Sequence, residues 1–136
     1  MSRRVAFVSG ASRGIGAESA VALARAGFDV AITARTLDAG EAYDHVGKVA
    51  PLPGSLRATA AAIEAEESAL EEFGRIDLLF NNAIYQGAGN QERVLELTPD
   101  QLRAIYQGNV LTPLALVQRF LPTMLKQSGS TIINML

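Results

Sequence analysis

Apolar and polar positions along this chain fall into two rhythms. Short runs at residues 5–9, 29–33, 76–80 and 130–136 are mostly apolar and predict strands. The first has the near-continuous character of a central parallel strand covered on both faces. Between them, apolar residues recur at helical spacing. Residues 17–26 form an Ala-rich helix that can approach a sheet closely, and Gly27 follows as its natural C-cap. Ser55 caps a second helix carrying Leu56, Ala60, Ile63, Leu70 and Phe73, whose acidic run from Glu64 to Glu72 reads as a solvated face. Thr98-Pro99-Asp100-Gln101 opens a third: an N-cap, Pro at the first helical position and Gln to close a capping box. That helix is expected to bury Leu102, Ile105, Tyr106, Val110, Val117, Phe120 and Met124. Pro113 should loosen its ladder near Asn109, because it cannot donate to the carbonyl four residues earlier. Leu111, Leu114, Leu116 and Leu125 leave its outer side apolar, so a partner helix or subunit is expected there. Residues 36–55, with Gly40, Gly47, Pro51, Pro53 and Gly54, read as loop.

Strands alternating with helices predict an α/β fold, and Ser9-Gly10-Ala11-Ser12-Arg13-Gly14-Ile15-Gly16 joins the first strand to the first helix. Gly10 lets the chain turn sharply off the strand. Gly14 leaves the backbone bare, so amide N–H groups can approach a pyrophosphate. Gly16 lets the helix sit close on the strand, while the helix N-terminus offers free donors and partial positive charge to the anion. A glycine triplet alone could be a turn that binds nothing. The following helix and second strand complete a βαβ unit of about thirty residues, which favours dinucleotide binding.

The end of the second strand refines the ligand. An acid there would bond the adenosine ribose and repel a 2′-phosphate, but the residues are Ala34 and Arg35. Arg13, inside the glycine turn, could reach the same phosphate, and guanidinium suits bidentate phosphate pairing. Two solvated surface arginines are the alternative. The expectation is NADP(H) rather than NAD(H).

Composition narrows the class. The chain has 136 residues, 49% hydrophobic and 19% charged, with a net charge of −2, which fits one domain over residues 1–136. No basic surface advertises nucleic acid or an anionic membrane, and no apolar run is long enough to span a bilayer. The first strand begins too early to leave room for a signal peptide, so a cytoplasmic protein is expected. With no cysteine and one histidine, thiol chemistry and structural zinc are not expected. His45, alone in a loop, reads as a surface residue.

The Gly10-xxx-Gly14-x-Gly16 spacing resembles the short-chain dehydrogenase/reductase family. Gly-Arg-Ile-Asp at residues 74–77, the Asn81-Asn82-Ala83 turn and Asn109 in a long helix follow in the family's order. The resemblance implies a Rossmann-like doubly wound parallel sheet with helices on both faces. It implies cofactor contacts at Gly10, Ser12, Arg13, Gly14, Ile15, Gly16, Arg35, Asn81, Asn82 and Ala83. In such proteins the first Asn of the turn braces neighbouring strands, and the turn's backbone lines the nicotinamide side of the cleft. Ile84 stands here in place of the family's glycine, which would crowd the cofactor or shift the loop. Residues 85–91 are Gly-containing and polar, and are expected to form part of a mobile substrate wall. Asn109 falls in the apolar stripe of its helix. The resemblance gives it a water of the catalytic proton relay, and helix packing is the alternative.

Two departures are visible. The family's sheet has a third strand, ending in an acid near the adenine, between the second strand and Gly-Arg-Ile-Asp. Here that stretch shows one helix and no strand, roughly twenty residues short around residues 66–69. The family's catalytic Ser and Tyr-x-x-x-Lys lie beyond Leu136. Tyr43 and Lys48 are five apart, and Tyr85 and Tyr106 are followed four places on by Gly89 and Val110, so none substitutes. The expectation is an NADP(H)-dependent oxidoreductase, homo-oligomeric when complete, moving hydride between nicotinamide and a carbonyl or alcohol. This chain would carry its cofactor half. The alternatives are a truncated NADP(H)-binding form without turnover, or a dinucleotide-sensing regulatory protein. A strand ending at Leu136 would leave an open sheet edge prone to aggregation.

Overall fold

The computed structural model describes residues 3–34, 42–44, 49–51, 73–85 and 89–135. Four strands, β1 (Arg4–Ser9), β2 (Phe28–Thr33), β5 (Leu78–Asn81) and β6 (Thr131–Asn134), form an all-parallel sheet in the order β2-β1-β5-β6. β1 and β5 are central, which explains why their sequences carry apolar residues without alternation: both faces are covered.

The period of two along each strand divides the core. Ala6, Val8, Phe28, Val30 and Phe80 face α1 (Gly14–Arg25), whose Ala20 and Ala24 lie flat against them. Phe7, Ala31 and Leu79 face the other way, toward α3 (Thr112–Met124), meeting Leu116, Val117, Phe120 and Met124. The Phe7 and Phe120 rings are tilted at 49° with centroids 4.9 Å apart. Helices thus cover both faces of the sheet, as the sequence pattern predicts.

Residues 42–44 and 49–51 depart from the loop expectation. β3 (Ala42–Asp44) and β4 (Val49–Pro51) pair antiparallel with each other, Tyr43 opposite Ala50, and not with the main sheet. Glycine and proline break long elements, yet a local pair needs only three residues on each side to close its own hydrogen bonds. No strand borders the outer edge of β2 among the described residues. The helix expected from Ser55 falls almost wholly outside the described residues, as do His45 and Lys48.

The third helix forms in three pieces. α2 (Pro99–Tyr106) starts with the expected capping box: Gln101 N–H donates to Thr98 Oγ1 and Thr98 N–H to Gln101 Oε1. A π turn (Gln107–Leu111) then precedes α3. Pro113 leaves the Asn109 carbonyl without its donor four residues on. Thr112 sends both its backbone N–H and its hydroxyl back to Gln107 O, five residues earlier, which widens the turn. The burial expected along this helix is corrected: Leu102, Tyr106 and Val110 are exposed, and among the seven named residues only Met124 is fully buried. The reason is reach. Only α3 contributes residues to the cluster around Phe7 and Leu79, and α2 contributes none.

Asp77 stitches the entry to the central strands. Its Oδ2 accepts from Val5 N–H at 2.8 Å and Arg75 Nε at 2.9 Å, and its Oδ1 accepts from Arg75 Nη2 at 2.6 Å. Its backbone donates to Val5 O and accepts from Thr131 N–H, tying three strands at one residue. Asp77 is 4% exposed. Its carboxyl is held below the ordinary carboxylate range, first by the Arg75 hydrogen bond and then by the Val5 N–H, against the opposing effect of burial. A depressed folded-state value contributes stability that is full above the unfolded value of about 3.9 and is lost as pH falls through the folded one. We predict that Asp77→Asn lowers stability at pH 7 by about 1–3 kcal/mol. In urea unfolding the gap to wild type should narrow as pH drops below about 4. A gap constant with pH would show that the charge of Asp77 does not matter.

Candidate functional site

The site stands where the strand order reverses. The chain passes from β1 to β2 on one side and later enters β5 on the other, so the C-terminal ends of β1 and β5 flank a crevice of the kind in which open α/β sheets bind ligands. The glycine turn follows β1, and Asn82-Ala83-Ile84 follows β5.

These two loops are locked to each other. Asn82 Nδ2 donates to Ser9 O at 3.2 Å and to Gly10 O at 3.1 Å. The backbone N–H groups of Asn82 and Ala83 both donate to Ser9 Oγ at 3.1 Å, and that hydroxyl donates to Phe80 O at 3.4 Å. Ala11 N–H donates to Thr33 O, which ties the turn to β2 as well. Asn81 turns the other way and donates from Nδ2 to Asn134 Oδ1 at 2.8 Å, joining β5 to β6.

Each glycine has a different reason to be there. Gly10 has φ +69°, and a Cβ on it would stand 2.8 Å from Ala83 Cα. A Cβ on Gly16 would collide with Gly10 O and Asn82 Nδ2, so α1 is packed against the glycine turn itself rather than only against the strand. Gly14 differs: its φ is +55°, and nothing lies within 4 Å of where its Cβ would be. The backbone there is bare and faces open space.

Around it, Arg13 is the N-cap of α1 in extended conformation and gives the helix no side-chain cap, Ser12 is buried in the turn, and Ile15 is exposed. An uncapped helix start beside a bare glycine is a cradle that an anion's oxygens can enter. Among the residues expected to touch cofactor, the structure therefore gathers Gly10, Ser12, Arg13, Gly14, Ile15, Gly16, Asn82 and Ala83 at one crevice. Asn81 points to β6, and Arg35 lies outside the described residues.

Asn109 requires a correction, since it is exposed rather than buried in an apolar stripe. The π turn swings it to the loop after β5, where its Oδ1 accepts from Tyr85 N–H at 2.7 Å. Beside it, a Cβ on Gly108 would stand 2.6 Å from Tyr85 Cβ. Ser9 and Gly108 are the residues that sequence reasoning missed. Ser9 left one signal: a hydroxyl closing an otherwise apolar strand is buried and must find partners. Gly108 left none, because its contact with Tyr85 depends on the π turn. Tyr85 was expected in a mobile substrate wall with residues 86–91, of which 86–88 lie outside the described residues, and its N–H is bonded to Asn109. Among the described residues no cluster of three or more His, Cys, Asp or Glu could hold a metal ion, and no helix is long and apolar enough to cross a membrane.

Residues 4–136 match the family model described as short chain dehydrogenase. The chain belongs to the short-chain dehydrogenase family. The short chain dehydrogenase mpl6 of Monascus purpureus is 37% identical over 152 positions, covering 97% of this chain and 48% of that protein. That alignment is longer than the 136 residues of this chain, so the relative carries residues for which this chain has no counterpart. Acetoacetyl-CoA reductase of Shinella zoogloeoides is 34% identical over 108 residues, covering 79% of this chain and 44% of that enzyme. Among solved structures, a metagenomic short-chain oxidoreductase in complex with NADP superposes with a TM-score of 0.73 at 30% identity, covering 96% of this chain and 60% of that one. The 3-oxoacyl-[acyl-carrier protein] reductase of Brucella melitensis in complex with NAD gives 0.70 at 26%, covering 98% of this chain and 55% of that one. The chain spans about half the length of the curated relatives it matches, 46% of one and 48% of another.

The glycine geometry makes a prediction about this chain that no ligand is needed to test. Gly16→Ala should destabilise it by at least about 3 kcal/mol, because the colliding atom is a backbone carbonyl that cannot swing away. Gly14→Ala should lose only about 1–2 kcal/mol, the strain of a left-handed alanine. Urea unfolding of both variants checks this, and equal losses would contradict the assigned roles.

Proposed function

We propose that this chain is the dinucleotide-binding part of an NADP(H)-dependent oxidoreductase acting on a carbonyl or alcohol substrate. The observation that carries the reading is the open backbone at Gly14 beside the uncapped start of α1, in the crevice between the ends of β1 and β5. When bound, the nicotinamide group would supply hydride acceptance and donation at a ring carbon. The chain's own residues do the rest. Gly14, Ile15 and Gly16 present N–H groups to the pyrophosphate, and the positive end of α1 adds to the attraction. Asn82 and Ser9 hold that cradle in shape before ligand arrives, so little ordering is left for the binding step.

The preference for NADP(H) rests on Ala34 after β2, where no carboxylate opposes a 2′-phosphate, and on Arg13 and Arg35 as guanidinium partners. The NADP complex of the metagenomic relative supports this choice, while the NAD complex of the Brucella reductase shows that the family admits either. In this reading Asn109 belongs to the proton relay, and its bond to Tyr85 N–H fixes where the loop beside that relay lies. The whole protein is a homo-oligomer that meets neither nucleic acid nor membrane.

Binding is the right readout, because no Tyr-x-x-x-Lys occurs in these 136 residues. Isothermal titration should show NADPH bound about tenfold or more tighter than NADH, the worth of one charge-assisted contact to the 2′-phosphate. The Arg13→Ala/Arg35→Ala double variant should bring NADPH down to the level of NADH. Equal affinities in the wild type would refute the NADP(H) preference, and binding of neither would refute the dinucleotide reading.

A further inference from the structure

Two points of the chain after β5 rest on one interrupted helix. Tyr85 N–H is bonded to Asn109 Oδ1 at 2.7 Å, and a Cβ on Gly108 would stand 2.6 Å from Tyr85 Cβ. Gly89, with φ +97°, lies against Gln101 and Ile105 of α2, where a Cβ on it would stand 2.7 Å from Gln101 Cβ. Both seats come before Thr112. The grip of the helix on the sheet comes after it, at Leu116, Val117, Phe120 and Met124 of α3. The π turn stands between seats and grip.

A π turn is a change of register. Thr112 N–H donates to Gln107 O, five residues back, where an α-helix would take it to Gly108 O. With α3 fixed to the sheet, closing the turn to α form would rotate everything before it by about one residue, on the order of 100°. Asn109 Oδ1 would then leave Tyr85 N–H, and Gln101 would turn away from Gly89. Both contacts depend on the register.

Pro113 opposes the α form. In that form it would have no N–H to give Asn109 O, and its ring would press on the same carbonyl. A wider turn gives the ring room, and Thr112 fills Gln107 O with its N–H and, at 2.9 Å, its hydroxyl. A second proline, Pro122, lies further along α3, away from the turn. We propose that Pro113 is a positioning residue of the nucleotide crevice, holding the helix in the register that brings Asn109 to the loop after β5. The proposal rests on the dinucleotide reading above for what that loop serves, and adds what fixes it.

Hydrogen exchange followed by NMR on the full chain, without ligand, reads the register in wild type, Pro113→Ala and Pro122→Ala. Alanine at 113 restores a donor to Asn109 O, so the urea midpoint of that variant should hold or rise. Its Tyr85 amide should nevertheless exchange at least about fivefold faster, for the loss of one hydrogen bond. The Asn82 and Ala83 amides, bonded to Ser9 Oγ, should stay within about twofold of wild type. Pro122→Ala should leave the Tyr85 amide unchanged. Calorimetric titration should show NADPH bound about threefold more weakly by Pro113→Ala than by wild type, because the loop must then be ordered on binding. An unchanged Tyr85 amide in Pro113→Ala, the same acceleration in Pro122→Ala, or acceleration only in step with a lowered urea midpoint would each overturn the proposal. So would equal NADPH affinities. Wild type that binds no NADPH would overturn the dinucleotide reading, and the site role of Pro113 with it, even where the exchange pattern holds.

Discussion

The carboxamide of Asn82 sits between the carbonyls of Ser9 and Gly10, and the crevice depends on it. Those two carbonyls lie in a turn whose backbone is unusual, and a buried carbonyl without a donor would cost about 1–3 kcal/mol. Asn82 reaches from a different strand to satisfy both, while Ser9 Oγ returns the favour by accepting two N–H groups of the Asn82 loop. The bonds run in both directions, so neither loop can move without stranding polar groups of the other. Gly10 and Gly16 are confined by the same contact, since a methyl group on either would occupy space that the Asn82 loop fills. The turn is held from outside its own sequence, by the loop after β5 and by the bond from Ala11 N–H to Thr33 O on β2.

That cross-link separates what could be read in the chain from what could not. The strands and α1 were legible because their residues obey local rules: β1 is apolar on both faces, and α1 is alanine where it meets the sheet. The capping box at Thr98 is likewise a local device. Asn82 was legible only as part of a motif, because its partners are seventy-odd residues away and spacing says nothing about which amide turns inward. The disturbance at Pro113 was expected, but its form was not. A missing donor can bend a helix, break it or widen it, and the Thr112 bonds to Gln107 O decide for widening. The resulting rotation brings Asn109 out of the stripe and against Tyr85. The antiparallel pair of residues 42–44 and 49–51 was hidden because glycine and proline dominate the local reading, although three paired residues on each side suffice.

Membership of the short-chain dehydrogenase family and a chain about half the length of its relatives fit together in the sheet. The described strands place the glycine turn and the Asn82 loop on either side of the crevice between the ends of β1 and β5. The Asp77 cluster ties the strand entries at the opposite end of the sheet, so the crevice rim is relieved of that task. Leu102, Tyr106, Val110 and Leu114, along α2, the π turn and α3, remain exposed apolar side chains.

The central claim is that a dinucleotide enters the crevice at the ends of β1 and β5. The most direct measurement is amide chemical-shift mapping of the isotopically labelled chain with and without NADPH. The account predicts the largest changes at Gly14, Ile15, Gly16 and Ala83, with the β3–β4 pair and the exposed face of α3 unmoved. Changes concentrated away from the glycine turn, or no change at Gly14, would contradict it.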